Sequence, residues 1–268
     1  MKRMEFKYLI PVSLIDDIRK EIRPFVEPDP YAVKCENGTY TVRSIYLDTA
    51  DFECYRIKIE GMGIRKKYRI RGYNAFDRDS IVFLEIKRKN INHIHKDRAP
   101  LKYTNLQTFL GTKDFDRYIL SFSRNGKEKD AARQYLYHVY ARGLRPVVLV
   151  IYEREAFTGR FDTSLRLTLD KNLRSSIYPS LNNLFDEMQI KFAMTQYYIL
   201  EVKFDGSMPA WLGSVLKRHE LQRKTLSKYT ICIDSHNSLY RRSVNRTGPV
   251  NIHAKPVHQE SKASQHAQ

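Results

Sequence analysis

The sequence predicts an α+β fold in which an antiparallel sheet closes into a β-barrel with helices packed outside. Three observations carry that reading. Six segments alternate apolar with long charged side chains, the charged side of these segments is mostly basic, and helical periodicity is confined to the stretches between and after them. A chain of 268 residues is long enough for one large domain with a substantial core.

From the N-terminus, MEFKY reads as a strand. A helical pattern then runs through PVSLIDDIRKEIRPFV, with Leu14, Ile15, Ile18 and Ile22 on one side and Pro24 ending it. Strands follow at TYTVRSIYLDT, IRKKYRIRGY and IVFLEIKRK, with a short helical connection at Asp51–Lys58 after the first. Residues 104–144 read as helices inserted between strands of a single sheet system, with Gly143 as the C-cap of the last. Strands return at PVVLVIYEREAF, SLRLTLDKNL and YYILEVKFDG, and Ile177–Lys191 fits neither pattern. Pro209 starts a helix whose core face is Trp211, Leu212, Val215 and Leu216, and a final helix is expected over Leu226–Tyr240. The reading is one domain over residues 1–240, followed by a polar, aperiodic tail over 241–268 that is expected to be disordered.

Residues two apart on a strand share a face. Arg3, Glu5 and Lys7 are therefore together, as are Lys67, Arg69 and Arg71, and Glu85, Lys87 and Lys89. Arg154 follows Tyr152, Arg166 lines up with Thr168 and Asp170, and Glu201 with Lys203. Basic residues outnumber acids on this face by more than two to one. A charged face in water is common in antiparallel sheets, and a solvated sheet is the alternative. Like charges on adjacent strands repel, however, and an enclosed anion would offset that cost. Closing the sheet with the charges inside satisfies both faces.

The formal net charge of +17 and a pI near 9.7 call for anionic partners. Basic side chains that alternate on strands, without a nucleic-acid-binding motif, make nucleic acid the weakest of these. Cys35, Cys54 and Cys232 have no zinc spacing and form no disulfide framework, which fits the reducing cytoplasm. MKRMEFKYLIPV has no signal-peptide core, and no run of about 18 apolar residues is present to span a membrane.

Eight motifs, in order, resemble one family. They are RxExKY at Arg3–Tyr8, SIYLDT at Ser44–Thr49, YRIRGY at Tyr68–Tyr73, FLEIKRK at Phe83–Lys89, YERxAF at Tyr152–Phe157, LRLTLD at Leu165–Asp170, ILEVKFD at Ile199–Asp205 and SKY at Ser227–Tyr229. Together they are similar to the VTC domain, a polyphosphate polymerase branch of the triphosphate tunnel metalloenzymes, which are related to the CYTH proteins. The resemblance implies a closed eight-stranded tunnel that binds ATP with Mn²⁺ or Mg²⁺ and transfers the γ-phosphate to inorganic polyphosphate. It also implies that Lys7, Arg69, Arg71, Lys87, Arg154, Arg166, Lys203 and Lys228 contact phosphates. Lys96 or Arg98, in KDRAPL, would supply another cation, and Glu201 would hold the metal.

Arg3, Lys67 and Lys89 share faces with these residues and join the expected substrate-binding set, as Glu5 and Glu85 join the candidate metal ligands. Each of those two acids, like Asp170, has a neighbouring cation as an alternative partner. The eukaryotic relatives carry a membrane region without a counterpart here, so a membrane-protein partner is an open expectation. Hydrolysis of tripolyphosphate or nucleoside triphosphates, and non-catalytic polyphosphate binding, are the alternatives. Phosphoryl transfer suits a basic tunnel because its catalysis is mostly positioning and charge neutralisation.

Overall fold

The computed structural model describes residues 3–90, 93–123 and 125–236. The tail, and residues 237–240 of the expected last helix, lie outside the described residues. In chain order the elements are β1 (Arg3–Pro11), α1 (Ile15–Ile22), β2 (Val26–Pro28), α2 (Pro30–Val33), β3 (Thr39–Asp48) and α3 (Glu53–Ile59). Then come β4 (Ile64–Tyr73), β5 (Ile81–Asn90), β6 (His93–Lys102), α4 (Leu106–Thr112), α5 (Phe115–Tyr118) and α6 (Lys127–Ala141). Last are β7 (Arg145–Gly159), β8 (Arg166–Ile177), β9 (Lys191–Met194), β10 (Tyr197–Asp205), α7 (Ala210–Arg218) and α8 (Lys228–Ser235).

One antiparallel sheet runs in the order β1-β10-β8-β7-β3-β4-β5-β6, with β2 added beside β7 and β9 beside β8. Register shifts between Tyr46 and Leu47, and between Ile151 and Glu153, sharpen its curl. The sheet nevertheless stays open, which corrects the expected closed barrel. Each free edge already has a partner. The backbone of Lys224 donates to the Lys7 carbonyl at 2.8 Å and Arg223 bridges to Tyr8, so β1 is capped. Leu120 donates to the Pro100 carbonyl of β6 at 2.9 Å.

The convex face is apolar and covered by helices. Ile45, Ile70, Leu84 and Ile86 pack against Leu106, Phe109, Ala132 and Tyr135 of α4 and α6. Leu167, Leu200 and Val202 pack against Ile18 of α1 and Leu212 of α7. Truncating such a fully buried side chain costs about 2–5 kcal/mol. Gly72 is required on this face, because a Cβ there would meet the Phe185 ring at 2.8 Å.

α8 breaks the expectation that all helices lie outside. It packs on the concave side, with Tyr229, Cys232 and Ile233 against Tyr46, Val148, Val150 and Tyr152. The run PVVLVIY lacks alternation because both faces of β7 are buried there: Leu149 and Ile151 belong to the outer core, Val148 and Val150 to the inner.

β6 carries no strand signal in the sequence. HIHKDRAPLK has no clean period, and its Pro100 is tolerated because the strand is at the edge. β2, α2 and β9 are too short to carry a pattern. The helical middle resolves into α4, α5 and α6, and Gly143 follows α6 with φ 57°, the left-handed cap that glycine adopts freely. No helix among the described residues is long and apolar enough to cross a membrane.

Candidate active site

The strand alternation delivers the charged residues to the concave face, where they gather around four carboxylates. Glu85 on β5 is fully buried. Arg69 Nε donates to its Oε2 at 2.7 Å, and Arg98 Nε and Lys96 Nζ lie 2.9 and 3.5 Å from its Oε1. Asp170 on β8 accepts both nitrogens of the Arg154 fork, at 2.6 and 2.8 Å, and pairs with Lys228 at 2.6 Å. Glu201 on β10 pairs with Lys203 at 2.5 Å and Lys7 at 3.4 Å. Glu5 on β1 pairs with Lys7 and Lys87, each at 3.2 Å. Burial pushes all four acids up, but the surrounding cations win and hold each below the usual carboxylate range, Glu5 at about 2.

Cations still exceed carboxylates. A cavity of about 360 Å³ opens between β1, β4 and β5, lined by Glu5, Lys7, Lys58, Lys67, Lys87 and Lys89 among others, with Arg223–Leu226 along one side. Lys67 Nζ donates to Ser227 Oγ at 2.6 Å and lies 5.5 Å from the Tyr229 ring centre, and it meets no carboxylate among the described residues. Burial lowers its pKa well below the ordinary lysine value, and Lys7, Lys87, Lys58 and Arg65 push the same way. Burial also lowers Lys87, to about 8, with Lys7 and Lys203 adding to Glu5's failure to compensate. The cavity thus disfavours the charges of Lys67 and Lys87, whereas Glu201 and Glu5 overcome burial at Lys7 and hold it above the ordinary lysine range.

Of the remaining expected residues, Arg71 reaches Ser44 Oγ at 3.0 Å and Tyr152 Oη at 3.4 Å, beside Arg69. Lys89 lines the cavity, and Lys96 is among the cations around Glu85. Arg166 is held at the rim by Asp29, at 2.5 Å. Arg3 is exposed at the start of β1 and is not brought into the cluster.

The donor set admits a hard divalent cation at one place. Glu5 and Glu201 lie on the paired strands β1 and β10 and share the Lys7 ammonium, so their oxygens converge. No cluster of three or more His, Cys, Asp or Glu suited to a metal occurs among the described residues. Mg²⁺ and Mn²⁺ accept such a partial set, because phosphate oxygens and water complete it. All four carboxylates, the expected ligand Glu85 included, are paired with cations; Glu5 and Glu201 differ in sharing one of them, Lys7.

The sequence profile of the VTC domain matches residues 2–237. The chain belongs to the VTC-domain family. It is 28% identical over 214 residues to vacuolar transporter chaperone complex subunit 4 of Schizosaccharomyces pombe, an alignment covering 66% of this chain and 29% of that protein. The subunit of the same name from Trypanosoma brucei brucei is 28% identical over 177 residues, covering 54% of this chain and 22% of the relative. This VTC domain thus spans less than a third of the length of these relatives. Among solved structures, the PH1819 protein of Pyrococcus horikoshii OT3 superposes with a TM-score of 0.45 at 13% identity, over 87% of this chain and 98% of that one.

Several residues of this VTC-domain site went unread in the sequence. Arg65 continues the inward row of Lys67, Arg69 and Arg71 and was findable by the same period. Ser44 and Tyr46 sit on the concave face of β3, where Tyr46 Oη accepts from Arg69 at 3.0 Å, but their strand is apolar enough to read as core. Lys58, Arg223 and Lys224 come from a helix and an irregular segment, and only the fold brings them to the cavity.

Proposed function

We propose that this VTC domain is a metal-dependent polyphosphate polymerase that transfers the γ-phosphate of ATP to the end of an inorganic polyphosphate chain. The observation that supports it is the recessed cation cluster around Lys67, whose charge is unmatched until a polyanion enters. Arg69, Arg71, Arg98 and Arg154 present guanidinium groups suited to bidentate phosphate contact, while Lys7, Lys87, Lys203 and Lys228 act as compact charges. A terminal oxygen of the polymer attacks the γ-phosphorus, the bond to the β–γ bridging oxygen breaks, and ADP leaves. The protein's part is to align the two phosphate chains and neutralise the charge that builds between them. Glu201 and Glu5 would hold Mn²⁺ or Mg²⁺, which supplies further neutralisation of the phosphate oxygens when bound. Three free thiols fit residence in the cytoplasm. The relatives are named as subunits of a complex, which supports assembly with further subunits.

The test is to incubate purified protein with ATP, a polyphosphate primer and Mn²⁺ or Mg²⁺, then measure polymer, ADP and free phosphate. Polymer lengthening with stoichiometric ADP is expected, and chelating the metal should stop it. ADP and free phosphate in equal amounts without polymer would instead establish a hydrolase. Tight polyphosphate binding with neither product would establish a non-catalytic binding protein.

A further inference from the structure

The phosphate-gripping residues end, at one mouth of the groove, in a group of aromatic rings that the proposed reaction does not use. Tyr73 is the next inward residue of β4 after Arg69 and Arg71, and Phe83 is the cross-strand partner of Arg71 on β5. Tyr40 on β3 is the cross-strand partner of Arg154. Tyr31, at the start of α2, leans over them: its ring centre is 5.0 Å from that of Tyr40 and 5.9 Å from that of Tyr73. Tyr73 lies 6.2 Å from Tyr40 and 6.1 Å from Phe83. The Arg98 guanidinium, already paired with Glu85, is 3.5 Å from the Phe83 ring centre and donates to Tyr73 Oη at 2.9 Å.

A ring group that served only packing would be sealed. Here Tyr31 is 46% exposed, while Tyr73 and Phe83 are half-buried and sit against guanidinium groups rather than in the apolar outer layers. Aromatic faces and a stacked guanidinium, next to a triphosphate grip, are the surface a nucleobase requires. The other end of the groove is lined by Lys58, Arg65 and Lys89 with the aliphatic Ile94. Among the described residues that line it there is charge for phosphate and no aromatic ring for a base.

We propose that this collar is the nucleobase subsite of the phosphoryl donor, so that the nucleoside occupies the mouth at Tyr31, Tyr73 and Phe83 and the polymer occupies the lysine-rich end. This rests on the reading of the groove as a triphosphate site. Stacking is tolerant of base identity, so a purine is held by area rather than by edge recognition, and ATP and GTP bind alike.

Calorimetry in EDTA, which prevents turnover, separates the two claims. The probes are ATP, GTP and methyl triphosphate, the last carrying the same triphosphate monoester without a base. Wild type is expected to bind both nucleotides roughly tenfold more tightly than methyl triphosphate, the factor one stacked base supplies. Phe83→Leu keeps apolar volume and removes the ring, and Tyr31→Ala removes a half-exposed one. Each should bring ATP down toward methyl triphosphate while methyl triphosphate affinity stays constant, which also reports intact folding. If Phe83→Leu lowers both affinities, Tyr31→Ala decides. Equal wild-type affinity for all three ligands, or ATP affinity that survives Tyr31→Ala, overturns the collar and leaves the triphosphate site standing. Failure of all three ligands to bind overturns the site itself, and the collar with it.

Discussion

Lys87 on β5 and Glu5 on β1 meet at 3.2 Å across the gap between the two ends of the sheet, although no backbone ladder joins their strands. The pair does not restore the lysine's charge fully: burial and the neighbouring Lys7 and Lys203 hold Lys87 at about 8, below its ordinary 10.5. A pH dependence follows. Above about pH 8 the folded, empty protein binds fewer protons here than the unfolded chain, so stability contributed by this group rises with pH between 8 and 10.5. Triphosphate binding runs the other way, because an anion recruits the charged form. Affinity for tripolyphosphate should fall as pH rises through 8, with proton uptake seen as a buffer-dependent heat. Lys87→Arg, which stays charged, should flatten that profile, and an unchanged inflection would assign it elsewhere.

Lys67 stands in the cavity among cations, with a hydroxyl and a ring for company. Lys67→Met should therefore stabilise the empty protein by about 1 kcal/mol, which is roughly 2–4 °C in Tm for a domain of this size. The same change should weaken tripolyphosphate binding about tenfold, since a charge-assisted hydrogen bond contributes about 1.5–3 kcal/mol. Thermal melts with and without ligand would show the two effects with opposite sign. A loss of stability in the empty protein would contradict the account.

Glu85 has no solvent exposure and depends on Arg69. Arg69→Met should cost about 3 kcal/mol by leaving a buried carboxylate short of a partner. Adding Glu85→Gln should recover at least half of that loss, because the charge that required Arg69 is gone. Denaturant melts of the two variants measure the difference, and equal loss in both would mean that Arg69 contributes through packing alone.

Glu201 sits between Lys7 and Lys203, with Glu5 sharing Lys7. Glu201→Gln preserves shape and removes one of the two charges that could hold a divalent cation. Polymer formation should be lost while polyphosphate binds as tightly as before or up to about tenfold more so, as a repulsive carboxylate has been removed. Retained polymer synthesis at wild-type metal concentration would remove Glu201 from the metal site.

The inward rows of β4 and β5 were legible because strand alternation is a strictly local property: Lys67, Arg69 and Arg71, or Glu85, Lys87 and Lys89, need only a pleat to share a face. What the period does not encode is the neighbour. Nothing in HIHKDRAPLK signals that pairing with β5 would bring Lys96 and Arg98 onto Glu85. The doubly apolar run at Val147–Ile151 shows burial of both faces, but not that one of the two covers would be α8, carrying Lys228 to Asp170. The failure to close has the same origin, since Arg223 and Lys224 cap β1 from an irregular segment with no pattern of its own.

The uncoupled ends of the sheet bear on how a long polyanion would be handled. A ring of strands can take such a molecule only by threading a free end through it, and can release it only by running off the other end. Here β1 is joined to β5 across the opening by an ion pair of side chains, and it is flanked by the Arg223–Leu226 segment, whose backbone reaches β1 at Lys7 and Tyr8. Displacing those few contacts would open the cavity sideways beside β1. A polymer would then be laid in or lifted out broadside, and the number of phosphates already beyond either mouth would set no limit on capture or escape.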